Sequence, residues 1–228
     1  MEDEFFNHIQ AWLNKLPILS LNELTNRSAH TAIISVDIIN GFCTQGPLAS
    51  DRVQGIVDPI VKLLTSAYAG GIKQIILTQD THDADAVEFG SYPPHCVRGT
   101  SESESVPEFK ALPFYQDLLV IEKNSIHSGL NTALVEWLND RHQVDTFIIV
   151  GDCTDLCVYQ MAMYLRLDAN ARQLFRRVIV PEDCVQTYDM SVSAAVSVGA
   201  VPHPGDLMHN LFLYHMHLNG IEIVKSIA

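Results

Sequence analysis

The sequence is poor in positive charge: 14 lysines and arginines stand against 27 aspartates and glutamates in 228 residues, a formal net charge of -13 with histidine neutral. So acidic a chain repels phosphate backbones and anionic lipid, which excludes nucleic acid and membrane surfaces as expected partners. No apolar run approaches the roughly 18 residues needed to span a bilayer. The start, Met1-Glu2-Asp3-Glu4, has the wrong charge for a secretory leader, so a cytoplasmic protein is expected. Cysteine is sparse and odd in number, five in all, which argues against a disulfide framework and for reduced thiols. No G-x-G-x-x-G follows the first apolar run, and Gly46-Pro47 and Gly70-Gly71 read as turns, so a phosphate-binding loop is not expected. Internal repeats and low-complexity linkers are absent. With 47% hydrophobic and only 18% charged residues, the chain is not disordered and is long enough for one sizeable core.

What is present is an alternation. Short β-branched runs at residues 31–37, 73–78, 118–122, 146–151, 177–180 and 221–224 are separated by segments of helical period. Helices are expected over about 51–69, 130–141, 155 into the 160s, and 191–198. Continuous apolar strands between helices are what a parallel sheet covered on both faces requires. The expected fold is therefore α/β: a three-layer α/β/α arrangement with a mostly parallel central sheet of about six strands, Rossmann-like, forming one domain over 31–228. Residues 1–30 form an N-terminal accessory helical segment. In it Phe5, Phe6, Ile9, Trp12, Leu13 and Leu16 make one apolar stripe, expected to dock on the body or on a neighbouring subunit of a homo-oligomer.

Ligands of such sheets bind beyond the carboxyl ends of the strands. Four strand ends carry chemistry there: Asp37, Asp80 with His82, Lys123, and Cys157. Thr154 is the expected N-cap of the next helix, which would set Cys157 in the first turn, where free N–H groups favour a thiolate or an oxyanion. Asp37 could accept the thiol proton and Lys123 could balance both charges. Asp80-Thr81-His82 with Glu88 and His95 further on offers two imidazoles and up to two carboxylates, a donor mix suited to Zn, Fe or Mn. Each piece alone has an ordinary alternative. A cysteine in an apolar segment is usually a small core residue, a strand-end lysine usually reaches water, and a lone histidine is often just hydrogen-bonded. Cys43, Cys96 and Cys184 are read as packing residues. Glu102, Glu104 and Glu108 are read as solvated surface, and His209, His215 and His217 as members of a C-terminal helix without a metal.

Taken together, Val36-Asp37-Ile38-Ile39-Asn40-Gly41-Phe42-Cys43, Thr78-Gln79-Asp80-Thr81-His82, Tyr92-Pro93-Pro94-His95-Cys96-Val97-Arg98-Gly99-Thr100, Lys123 and Gly151-Asp152-Cys153-Thr154-Asp155-Leu156-Cys157-Val158 resemble the isochorismatase-like cysteine hydrolases, and within them the nicotinamidase branch. The resemblance spans about residues 30–200. It implies a catalytic triad of Asp37, Lys123 and Cys157, with an oxyanion hole from the backbone N–H groups of Cys153 and Cys157. It implies metal ligands at Asp80, His82, His95 and, in some members, Glu88, holding a divalent ion (Zn, with Fe or Mn as alternatives). It also implies a non-proline cis peptide at Asp152-Cys153 and aromatic substrate contacts from Phe42 and Tyr92. The implied activity is hydrolysis of a small carboxamide, nicotinamide to nicotinate and ammonia, through a thioester on Cys157. Ile39 and Gly41 stand where that branch usually has Gln and Asp, and Tyr92 where Trp is common. A carbamoyl or ureido substrate, or a non-catalytic metal-binding protein on the same fold, are therefore the competing readings.

Overall fold

The computed structural model describes residues 2–228. The first half of the chain runs α1 (Glu2–Leu13), β1 (Ile18–Leu19), α2 (Leu21–Thr25), β2 (Thr31–Val36), α3 (Asn40–Cys43), α4 (Asp51–Gln54), α5 (Val57–Ala69), β3 (Gln74–Asp80) and α6 (Pro107–Lys110). The second half runs β4 (Leu119–Lys123), α7 (Leu134–Asp140), β5 (Thr146–Asp152), α8 (Cys157–Arg172), β6 (Arg177–Pro181), β7 (Val185–Gln186), α9 (Val192–Val198), α10 (Gly205–Leu218), β8 (Glu222–Val224) and β9 (Ser226–Ile227).

Strands pair in the order β4-β3-β2-β5-β6-β8, with β7 added beside the end of β5, and every pairing is parallel. The expected three-layer sheet is thus present, with seven strands. β2 and β5 are buried along their whole length, because side chains of both faces meet helices. Alternate residues divide the core: Ile33, Ile75 and Ile148 face α5, whose Val57, Ile60, Leu63 and Leu64 form one stripe. Ile34, Ile76 and Ile149 face the other way, toward Val158, Met161 and Leu165 of α8. Burying one such aliphatic side chain stabilises the fold by roughly 1.5–3 kcal/mol before entropy is charged against it.

Two expected helices are shorter than their periodicity. The 51–69 segment breaks around Gly55 and Ile56 into α4 and α5. Pro59 has no N–H to donate one turn back, so it fits only the first turn of a helix started afresh. The 130–141 segment becomes helical only at Leu134. Asn131 takes a left-handed φ of 56° and the Thr132 hydroxyl accepts from Leu134 N at 3.3 Å, which delays the start.

Within the N-terminal segment, Ile9 and Leu13 are buried in the core while Phe5 and Phe6 remain more than 40% exposed. Trp12 meets Tyr214 of α10 edge-on at 5.4 Å, and β1 pairs with β9, tying the two ends of the chain together. Among the described residues no helix is long and apolar enough to cross a membrane.

Candidate active site

The chain reverses its direction of sheet growth at β2, with β3 and β4 on one side and β5 on the other, and the chemistry-bearing residues collect above the carboxyl ends of these strands. Asp37 directly follows β2 in a left-handed conformation, φ 55°, which aspartate tolerates better than most residues. Its N–H donates to Thr78 O at 2.8 Å, and its Oδ1 accepts from Asp80 N at 2.8 Å. Asp80 ends β3 and Lys123 ends β4, and the two are register partners. The Lys123 ammonium lies 2.8 Å from Asp37 Oδ2, also donates to Asp80 Oδ1 and to Ser125 O, and stands 3.7 Å from Cys157 Sγ. All four side chains are buried.

Such confinement separates the roles of the two carboxylates. Burial raises the Asp37 pKa to about 7, with the Asp80 charge adding to the rise and Lys123 opposing it. Burial also raises Asp80, yet Lys123 and His82 outweigh it and hold this carboxyl below its ordinary value. Lys123 is lifted well above the usual lysine range: burial works against the charge, but Asp37 and Asp80 prevail. Burial keeps the Cys157 thiol protonated at rest, well above its ordinary value, although Lys123 pulls it down. One group is thus poised to exchange a proton, one stays ionised, and the cation between them is permanent.

Cys157 opens α8 at its first position, where a backbone N–H has no carbonyl one turn behind it. The expectation that Thr154 caps this helix is corrected. Leu156 occupies the N-cap without a side-chain bond, and the Thr154 hydroxyl instead meets His209 Nδ1 at 2.8 Å. The Asp152-Cys153 peptide is cis. Gly151 precedes it with φ 114°, and a Cβ there would run into the Val36 carbonyl, so only glycine fits this close approach of the paired ends of β2 and β5.

Beside the Asp37–Lys123–Cys157 group, Asp80, His82 and His95 bring one donor atom each within 4.8 Å of one another, all buried. His82 Nδ1 is paired with Asn124 Oδ1 at 2.8 Å, and His95 Nδ1 with Pro93 O at 2.8 Å. Because both partners accept, each ring donates from Nδ1, and in its neutral form leaves the Nε2 lone pair free. His82 Nε2 is buried without a hydrogen-bond partner. Burial lowers the His95 pKa and so favours the neutral ring. For His82 burial also lowers it, but Asp80 and Asn124 reverse the sign. Two aimed imidazole nitrogens and a carboxylate oxygen fit a divalent cation. Glu88 does not join this trio. It lies half-buried on a short turn of 3-10 helix, Val87–Gly90, close enough for its charge to act on His95 and Tyr92.

Phe42 and Tyr92 flank this cluster, with ring centroids 5.7 and 6.1 Å from that of His95. Phe89 stands 5.6 Å from the same ring and 5.4 Å from His82, a contact the residue pattern did not announce. Asn124 was equally unmarked, although it immediately follows the strand-end lysine. Ile39 is fully buried in the core, and a Cβ on Gly41 would meet Cys96 Sγ and the Glu102 backbone, so packing accounts for these two departures. Glu102 is not simply solvated: it is half-buried and accepts from Cys96 N at 3.0 Å.

The chain is similar to several known proteins. Nicotinamidase 1 of Arabidopsis thaliana is 29% identical over 222 residues, covering 90% of this chain and 89% of its own. The nicotinamidase/pyrazinamidase of Mycobacterium tuberculosis is 30% identical, covering 72% of this chain and 91% of its own. The crystal structure of a pyrazinamidase/nicotinamidase from Streptococcus mutans superposes with a TM-score of 0.66 at 25% identity, covering 85% of this chain and 99% of that one. The isochorismatase domain pattern matches residues 31–201, well over half of the length, and the chain therefore belongs to the isochorismatase family.

Proposed function

We propose that this protein is a cysteine amidohydrolase that converts nicotinamide to nicotinate and ammonia, with Cys157 as nucleophile. The observation that carries the reading is Lys123, set between Asp37 and Asp80 and 3.7 Å from the Cys157 sulfur, in a chain whose relatives include named nicotinamidases. Asp37 takes the thiol proton as the sulfur attacks the carboxamide carbon, and the carbonyl electron pair moves onto oxygen. The N–H groups of Cys153 and Cys157 receive that oxyanion. Collapse breaks the C–N bond, Asp37 returns its proton to the departing nitrogen, and ammonia leaves a thioester. Asp37 then accepts a proton from water as the hydroxide adds, and the proton passes to the sulfur when nicotinate is released. Lys123 keeps the carboxylate and the developing thiolate from repelling each other. Phe42 and Tyr92 confine the aromatic ring beside His95.

Asp80, His82 and His95 would hold a divalent metal, zinc by the N and O donor set with iron or manganese as alternatives, and when bound it supplies a Lewis-acidic point that orients the substrate ring. The test is ammonia release from nicotinamide by metal-replete protein, compared with non-aromatic carbamoyl and ureido compounds and repeated after chelation. Cys157→Ala is expected to bind nicotinamide without turning it over. Undiminished ammonia release in that variant would sink the thioester.

A further inference from the structure

Beyond residue 201, where the family pattern stops, the chain returns to the nucleophile segment with two histidines. His203 Nε2 lies 2.7 Å from Asp155 Oδ2, and its Nδ1 lies 2.9 Å from Tyr188 O. His209 Nδ1 lies 2.8 Å from the Thr154 hydroxyl. Thr154 and Asp155 are consecutive and sit between Cys153 and Cys157. All four members of these two pairs are buried.

We propose that His203 and His209 are positioning residues, which hold Asp155 and Thr154 so that the Cys153 and Cys157 N–H groups and the Cys157 thiol stay aligned on the scissile carbonyl. The inference rests on the reading of Cys157 as nucleophile. Three features carry it. First, the His203 contact cannot be an idle one. The Tyr188 carbonyl only accepts, so Nδ1 must donate to it, and a proton must also lie between Nε2 and Asp155, on one or the other. The other Asp155 oxygen, Oδ1, is buried with no hydrogen-bond partner among the described residues. His203 is therefore what fixes this carboxylate in place.

Second, the clamp is itself anchored. The His203 ring stacks on Tyr188 at 3.9 Å and 14°. Its backbone exchanges two hydrogen bonds with Met190, at 2.7 and 2.8 Å. Gly205 N donates to Asp189 Oδ1, and Arg52 Nε donates to Thr187 O. Third, the other hydrogen bonds of the segment it grips are backbone ones. Thr154 N donates to Gln186 O of β7, Leu156 N and Val158 N both donate to Cys153 O, and the α8 N-cap lacks a side-chain bond. Misplacing a reacting group by about 1 Å costs on the order of a hundredfold in rate, so a modest slip of this segment reads out in turnover.

The experiment compares kcat and KM for ammonia release by the full-length, metal-replete wild type, His203→Ala, His203→Gln, Thr154→Val and Cys157→Ala. Thermal unfolding and the rate of Cys157 alkylation by iodoacetamide are recorded beside them. His203→Ala is expected to lower kcat about ten- to a hundredfold with KM within about threefold, as loss of alignment at an oxyanion site would, and to change the alkylation rate. His203→Gln, which restores a donor toward Asp155, should recover part of kcat. A folded His203→Ala with wild-type kcat, or one that loses only thermal stability, overturns the clamp. Should His203→Ala fail to fold, Thr154→Val decides: it removes only the hydroxyl that meets His209, and an unchanged kcat overturns the proposal. Full activity in Cys157→Ala would instead defeat the nucleophile assignment on which the clamp depends.

Discussion

Asp80 and Lys123 face each other as register partners at the ends of β3 and β4, and the pair joins two sites that would otherwise be separate. Asp80 Oδ1 takes the lysine ammonium, while Oδ2 lies 3.6 Å from His82 Nε2. The same ammonium reaches Asp37 and the thiol. A carboxylate of the candidate cation site thus also sets the charge balance of the proposed nucleophile.

Lys123→Met is expected to abolish turnover and to lower stability by about 3–5 kcal/mol, since it leaves Asp37 and Asp80 buried without a counter-charge. Denaturant unfolding and ammonia release check both effects. A variant within about 1 kcal/mol of wild type would show that the lysine is not what offsets the buried acidic pair.

Metal content separates the candidate ligands. Wild type dialysed against zinc should retain one ion per chain, measured by elemental mass spectrometry, and both His82→Ala and His95→Ala should lose it. Asn124→Ala, which frees the His82 ring, should weaken binding about ten- to a hundredfold. Glu88→Ala should keep the stoichiometry, because Glu88 stands outside the trio. Loss of the ion in Glu88→Ala would make it a ligand.

Gly151→Ala should cost about 3 kcal/mol or more, because it combines a positive φ with a collision at the Val36 carbonyl. Gly90→Ala is the control. Nothing lies within 4 Å of a Cβ there, so its effect should stay within about 0.5 kcal/mol. Equal unfolding midpoints for the two variants would contradict the close approach of β2 and β5 at Val36 and Gly151.

Burial lowers the His209 pKa from 6.5 to about 4, with Glu182 opposing that shift, Arg52 adding to it, and Asp206 and Asp155 opposing it. Between those two values the unfolded chain binds a proton that the folded protein refuses. Stability should therefore fall as the pH drops through this window, by about 3 kcal/mol in all. His209→Gln should flatten that part of the stability–pH curve, measured by urea unfolding at several pH values. An unchanged slope would mean that other groups dominate acid unfolding.

The strands were legible because a parallel sheet covered on both faces demands unbroken apolar runs, and residues 31–37 and 146–151 are such runs. Their polar end residues could be named for the same reason: the carboxyl edge of a doubly wound sheet is where side chains meet a crevice. Asp37, Asp80, His82, Lys123 and Cys157 were named as candidates this way and His95 as a second histidine in the loop beyond, and the structure brings all six together. Glu88 lies in the same loop region, and loop spacing alone could not show that it stays outside the trio. Periodicity missed the break ahead of Pro59 between α4 and α5 and the late start of α7 after Asn131, and at α8 the cap fell on Leu156 instead of Thr154.

By itself, the sequence determined the class of fold, the edge on which the chemistry sits and the residue types gathered there, because periodicity and strand-end placement are local properties of the chain. Only the tertiary structure decided which carboxylate has its pKa raised and which has it lowered, which imidazole nitrogens face the candidate cation site, and that His203 and His209 return to the nucleophile segment. Those outcomes depend on burial, register and contacts between residues about fifty positions apart, and no local pattern encodes them.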